Sequence, residues 1–121
     1  LYEGITQATP DNRVGAISQT IQKYVEGHGM TVVREFVGHG VGRTMHEPPQ
    51  VPNFGKAKSG EKLRPGTVIA IEPMVNMGRR EVVLDEDGWT AKTRDGLPSA
   101  HFEHTVLVTE GAPEILTKPE N

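Results

Sequence analysis

The chain contains no cysteine, which rules out a disulfide framework and any thiolate metal site. Whatever metal chemistry it has must use histidine, aspartate and glutamate. Aromatic residues are scarce at 5% and hydrophobic residues reach only 35%, so the core has to be built from Val, Ile, Leu and Met. Charge of neither sign gathers into a block, and the formal net charge is −3. The missing basic stripe argues against direct nucleic-acid binding. No apolar run approaches the ~18 residues of a membrane span. The N-terminus lacks the charged-then-apolar layout of a secretory signal. These absences lead us to expect a soluble, cytoplasmic protein, and 121 residues fit a single domain with a modest core. The chain begins at Leu1, and Leu1-Tyr2-Glu3-Gly4-Ile5 reads like the middle of a helix, so we expect a piece of a longer protein.

What is present centres on residues 37–49, Val37-Gly38-His39-Gly40-Val41-Gly42-Arg43-Thr44-Met45-His46-Glu47-Pro48-Pro49. Glycines at every second position allow positive φ or close approach to another group. The prolines fix φ and remove two N–H donors, so no helix runs through. A solvated turn needs the glycines and prolines but not histidines placed among them. A rigid loop that aims His39 and His46 at a ligand needs both.

Around this loop the pattern reads as α+β. Thr9-Pro10-Asp11-Asn12 offers a turn and N-cap chemistry. Val14, Ile17, Ile21, Tyr24 and Val25 then recur at helical spacing, which predicts one long amphipathic helix over residues 13–26, stopped by Gly27 and Gly29. Residues 31–37 read as a strand and residues 50–66 as a long surface loop. Residues 67–76 form the most apolar run. Residues 81–84 and 89–93 flank Asp85-Glu86-Asp87-Gly88 as a hairpin. Residues 100–109 alternate as one strand, and residues 114–117 are placed to pair briefly. The expected fold is an antiparallel sheet of about four to five strands packed with the helix.

Two carboxylates stand where carboxylates are expensive. Glu72 interrupts the apolar run, and Pro73 ends regular pairing straight after it. Glu103 sits between His101 and His104 in a strand with no wholly polar face, so we expect it to be covered on both sides. Familiar alternatives fail. His46-Glu47-Pro48-Pro49-Gln50 is not the helical HExxH motif, and the glycine run lacks dinucleotide-site spacing. There is neither a GxSxG elbow nor a P-loop. His39, Glu72 and Glu103 remain, a donor set suited to Mn²⁺, Fe²⁺, Co²⁺ or Zn²⁺. His46 is the spare imidazole for substrate or proton.

Residues 33–43, with His46-Glu47-Pro48-Pro49, Ala70-Ile71-Glu72-Pro73-Met74, Asp87-Gly88-Trp89-Thr90 and residues 99–105, resemble the type I methionine aminopeptidases of the pita-bread metallopeptidase family. Prolidases and aminopeptidase P share the glycine-histidine and Ile-Glu-Pro motifs. The resemblance implies half of a pita-bread fold, the C-terminal half of a catalytic domain that removes an N-terminal methionine with a pair of divalent ions. It implies that His39 and Glu72 ligate one ion and that Glu103 bridges both. Glu72 would serve as general base, and His46 would contact the substrate. Phe36 and Trp89 would line the methionine pocket. Two aspartate ligands and a further histidine of the family lie outside these residues, and Asp11, Asp85 and Asp87 are poor substitutes. The missing half, as a second chain, is therefore an expected partner. A non-catalytic binding module and a prolidase-like exopeptidase are the competing readings.

Overall fold

A computed structural model describes residues 1–120. In chain order the elements are α1 (Tyr2–Ile5), α2 (Val14–Gly27), β1 (Thr31–Val32), β2 (Gly38–Gly40), β3 (Glu47–Val51), β4 (Val68–Ile71), β5 (Met74–Asn76), β6 (Val82–Leu84), β7 (Ala91–Thr93), β8 (Ser99–His101), β9 (His104–Leu107) and β10 (Glu114–Ile115). Every strand pair is antiparallel. Five strands form one sheet in the order β10-β9-β4-β2-β3, three form a second in the order β1-β5-β8, and β6 pairs with β7 alone. The α+β expectation holds.

The amphipathic helix is α2, one residue later than the spacing predicts. Val14, Ile17, Ile21 and Val25 are buried against Ile69, Ile71, Val51, Leu63, Val106 and Val108 of the five-stranded sheet and its surroundings. Each such side chain contributes roughly 1.5–3 kcal/mol by leaving water. Tyr24, assigned to the same stripe, instead turns outward and stacks on His28. The N-cap chemistry also lies elsewhere. Arg13 is the N-cap and no side chain caps the helix. The N–H groups of Val14 and Gly15 donate to the carbonyls of Glu61 and Ser59, both at 2.9 Å. Residues 50–66 are thus more than a surface loop. They begin in β3, bury Val51, Asn53 and Leu63, and close the helix end. β3 tolerates Pro48 and Pro49 because it is an edge strand.

Two expected strands are shorter than the pattern implies. Residues 31–37 are strand only at Thr31–Val32, because partner β5 stops at Pro73, which has no N–H to extend the ladder. Residues 100–109 divide into β8 and β9, which join different sheets. β9 pairs with β4 as far as Ile71↔His104, and β8 pairs with β5 from Met74↔His101. Glu72-Pro73 and Phe102-Glu103 therefore face each other as matched interruptions where both strands pass from one sheet to the other. The two glutamates meet at that crossing.

Candidate metal centre

His39 sits in the middle of the three-residue β2, paired with Ala70 on one side and Gln50 on the other. Its flanking glycines are required by close approach. A Cβ at Gly38 would overlap the Ala70 carbonyl, and one at Gly40 would overlap the Pro48 and Glu47 carbonyls. Neither glycine has positive φ. Sheet packing thereby fixes the backbone that carries the imidazole.

The imidazole is fixed in turn. His39 Nδ1–H donates to the Gly40 carbonyl at 2.9 Å, which leaves Nε2 pointing at Glu72 Oε2, 3.3 Å away. A neutral ring in this tautomer presents a lone pair to the carboxyl group, so either a proton or a cation must lie between them. This is how metal-bound histidines are usually held, with the distal N–H donated to an oxygen. The side chains of His39 and Glu72 are 13% and 14% exposed. Burial pushes the Glu72 carboxyl up to about 7, the charge and hydrogen bonding of Glu103 push the same way, and His39 opposes them. Two carboxyl groups this close share a proton or a cation in preference to both standing ionised and bare.

Ligand atoms of His39, Glu72 and Glu103 all lie within 4.8 Å of one another. A borderline divalent ion fits this donor set: one imidazole nitrogen stripped of its proton and two carboxylates, one of them desolvated. Glu103 departs from expectation in one respect. It is exposed, as are His101 and Phe102 beside it. The crossing between β8 and β9 lifts it out of the sheet, and among the described residues nothing covers it.

The other assigned residues divide. His46 joins the cluster, its ring centroid 4.0 Å from that of His39 and tilted by 40°. It is carried by the loop from β2 to β3, which folds back over His39. Phe36 lies half-buried in the bend before β2, and none of the ring pairs among the described residues links it to either histidine. Trp89 is 88% exposed at the β6–β7 turn. Its N–H and that of Thr90 donate to Asp87 Oδ1 at 2.9 and 2.8 Å, and these bonds, Thr90's above all, hold the Asp87 carboxyl below the usual carboxylate range.

The sequence reading passed over Glu47 and Thr44. Glu47 accepts hydrogen bonds from the Thr44 N–H and hydroxyl, at 3.5 and 3.2 Å, within the loop that carries His46. The available signal was the Thr44-x-x-Glu47 spacing, the pairing of a capping box, here without a helix. Tyr2 and Thr117 were passed over too. Tyr2 Oη lies 3.0 Å from His104 Nε2 and Thr117 Oγ1 2.8 Å from its Nδ1, tying both ends of the chain to the strand that follows Glu103.

Comparison with known proteins bears on this geometry. Residues 1–110 match Metallopeptidase family M24. The chain belongs to that family. In sequence this M24 chain is 56% identical over 116 residues to a methionine aminopeptidase of Clostridium perfringens, covering 96% of itself and 47% of that protein. It is 52% identical over 118 residues to methionine aminopeptidase 1 of Bacillus subtilis, covering 98% and 48%. The crystal structure of a methionine aminopeptidase from Thermotoga maritima superposes with a TM-score of 0.95 at 53% identity, over 98% of this chain and 48% of that one. The M24 chain thus spans about half the length of the curated relatives it matches. A prolidase from Pyrococcus furiosus shares the fold alone, with a TM-score of 0.67 at 23% identity. No helix among the described residues is long and apolar enough to cross a membrane.

Proposed function

We propose that this M24 chain carries the C-terminal half of a methionine aminopeptidase catalytic domain, and that His39, Glu72 and Glu103 hold divalent metal there. The observation that carries this reading is the convergence of those three ligand atoms within 4.8 Å, from segments distant in sequence. The substrate is the methionine-first N-terminus of a nascent polypeptide, met in the cytoplasm. A divalent ion, when bound, supplies Lewis acidity toward a carbonyl and draws the ionisation of water toward neutrality. Co, Mn, Fe and Zn all suit these donors.

The chain's own residues do the rest. Glu72, a desolvated carboxyl raised to about 7 in the metal-free chain, is the group placed to accept a proton as general base. His46, stacked on His39 and otherwise exposed, contacts the substrate beside the scissile amide. Phe36 and Trp89 wall the methionine pocket; both are aromatic, and neither belongs to the buried core. Glu103 would also help to hold a second ion, whose remaining ligands, two aspartates, would come from the other half of the catalytic domain. The exposed apolar side chains next to the cluster, Met45 at 74% and Phe102 at 68%, support covering of this face by that half.

The test is complementation. With metal, the chain alone releases no methionine from a Met-Ala peptide. Mixed with or fused to the remaining half of a relative's catalytic domain, it does. Release by the chain alone would overturn the division of the site, and silence of the joined halves would overturn the activity. Preferential cleavage of X-Pro dipeptides by the joined halves would favour the prolidase-like alternative.

A further inference from the structure

The geometry points to Glu47 as a positioning residue that holds His46 against His39, an inference that rests on the substrate-side role given to His46 above. Three observations meet at its carboxylate. First, Glu47 Oε2 accepts from the Thr44 N–H and hydroxyl at 3.5 and 3.2 Å, while the Gly42 N–H donates to the Thr44 carbonyl at 3.0 Å. Residues 42–47 therefore form a closed loop strapped to one carboxyl group. Second, the Glu47 carboxylate packs against Gly42, where any side chain would push it out of this position. Third, the β2–β3 ladder slips at this point: His39 pairs with Gln50, yet Gly40 pairs with Glu47. The slip leaves Pro48 and Pro49 without partners on β2 and turns the chain before Glu47 back over the sheet, bringing His46 to its 4.0 Å stacking distance.

The Thr44 hydroxyl lies 3.3 Å from the His46 carbonyl as well as 3.2 Å from Glu47, so its one proton is shared between the carboxylate and the backbone of the histidine it positions. Each contact is weak by length. Together, with a charged acceptor at their centre, they define one arrangement for residues 42–46, which are otherwise exposed. Glu47 lies outside the His39-Glu72-Glu103 group, so its carboxylate is free for this task.

The experiment reads the ring-to-ring nuclear Overhauser effect between His39 and His46 in the metal-free chain, labelled at its histidines. It is compared with Glu47→Ala, Glu47→Gln and Thr44→Val. We expect the effect in the parent chain, its loss in Glu47→Ala, its retention in Glu47→Gln, whose amide oxygen still accepts, and its weakening in Thr44→Val. If Glu47→Ala does not fold, Thr44→Val, which leaves β3 intact, decides. An unchanged effect in folded Glu47→Ala or Thr44→Val overturns the assignment, as does its absence from the parent chain. Titration with Mn²⁺ separates this from the metal reading. Failure of Mn²⁺ to broaden the His39 resonances would count against the metal site, while the metal-free measurement would still judge Glu47.

Discussion

Replacing Glu72 by glutamine should stabilise the metal-free chain, and only above the acid range. The Glu72 carboxyl is raised from 4.5 to about 7, first by burial and then by Glu103. The folded state therefore holds a proton that the unfolded state has released between about pH 4.5 and about pH 7. Because the fold binds more protons across that window, its stability falls as pH rises through it, and the full penalty is present above about 7. At about 1.4 kcal/mol per pKa unit the ceiling is roughly 3 kcal/mol, and solvent reaching the partly open carboxyl screens it to about 1–2 kcal/mol. That is a noticeable part of the ~5–15 kcal/mol of a typical domain. Glutamine has no charge to desolvate and still offers an acceptor and a donor to His39. Urea unfolding with chelator present should give equal midpoints for parent and Glu72→Gln near pH 4.5. By about pH 8 the variant should lead by on the order of 1 M urea. A difference independent of pH, or a parent chain that gains on the variant as pH rises, would refute the reasoning.

Glu103→Ala should lower metal affinity by at least about tenfold, measured by titration calorimetry. Without metal, the same variant should lower the pH at which Glu72 titrates, because the neighbouring charge and hydrogen bond are gone; carboxyl NMR would read this. Gly38→Ala should cost roughly 1–3 kcal/mol or more in urea unfolding, because its methyl overlaps the Ala70 carbonyl in the centre of the sheet. Saturating a divalent ion at about 100 times its Kd should raise stability by about 2.7 kcal/mol, seen as an upward shift in Tm that chelator reverses.

The features legible in the sequence are those whose cause is local. Val14, Ile17, Ile21 and Val25 declare a helix through spacing alone, and Pro73 announces the end of pairing beside Glu72 wherever its partner comes from. Gly38 and Gly40 signalled a crowded backbone, although only the structure distinguishes close approach from positive φ. What escaped depends on distant partners. The helix cap comes from Ser59 and Glu61, more than forty residues along the chain, so the nearby Asp11 and Asn12 were the natural candidates. The alternation of residues 100–109 continues smoothly through Phe102-Glu103, and nothing local shows the strand changing sheets there. Burial of Glu103 was inferred from its apolar neighbours. Its exposure reflects a place at the crossing, which depends on where β4 and β5 divide. Glu47 went unassigned because its partner Thr44 reaches it only once the loop has closed.

The most direct test of the central claim is a metal titration of the purified chain and of a variant carrying His39→Ala, Glu72→Gln and Glu103→Ala together, followed by calorimetry with Co²⁺ or Mn²⁺. The account predicts saturable binding by the parent chain, with proton release near neutral pH as Glu72 gives up its proton, and loss of that binding in the triple variant. Equal binding by the two chains, or none by the parent, would contradict it.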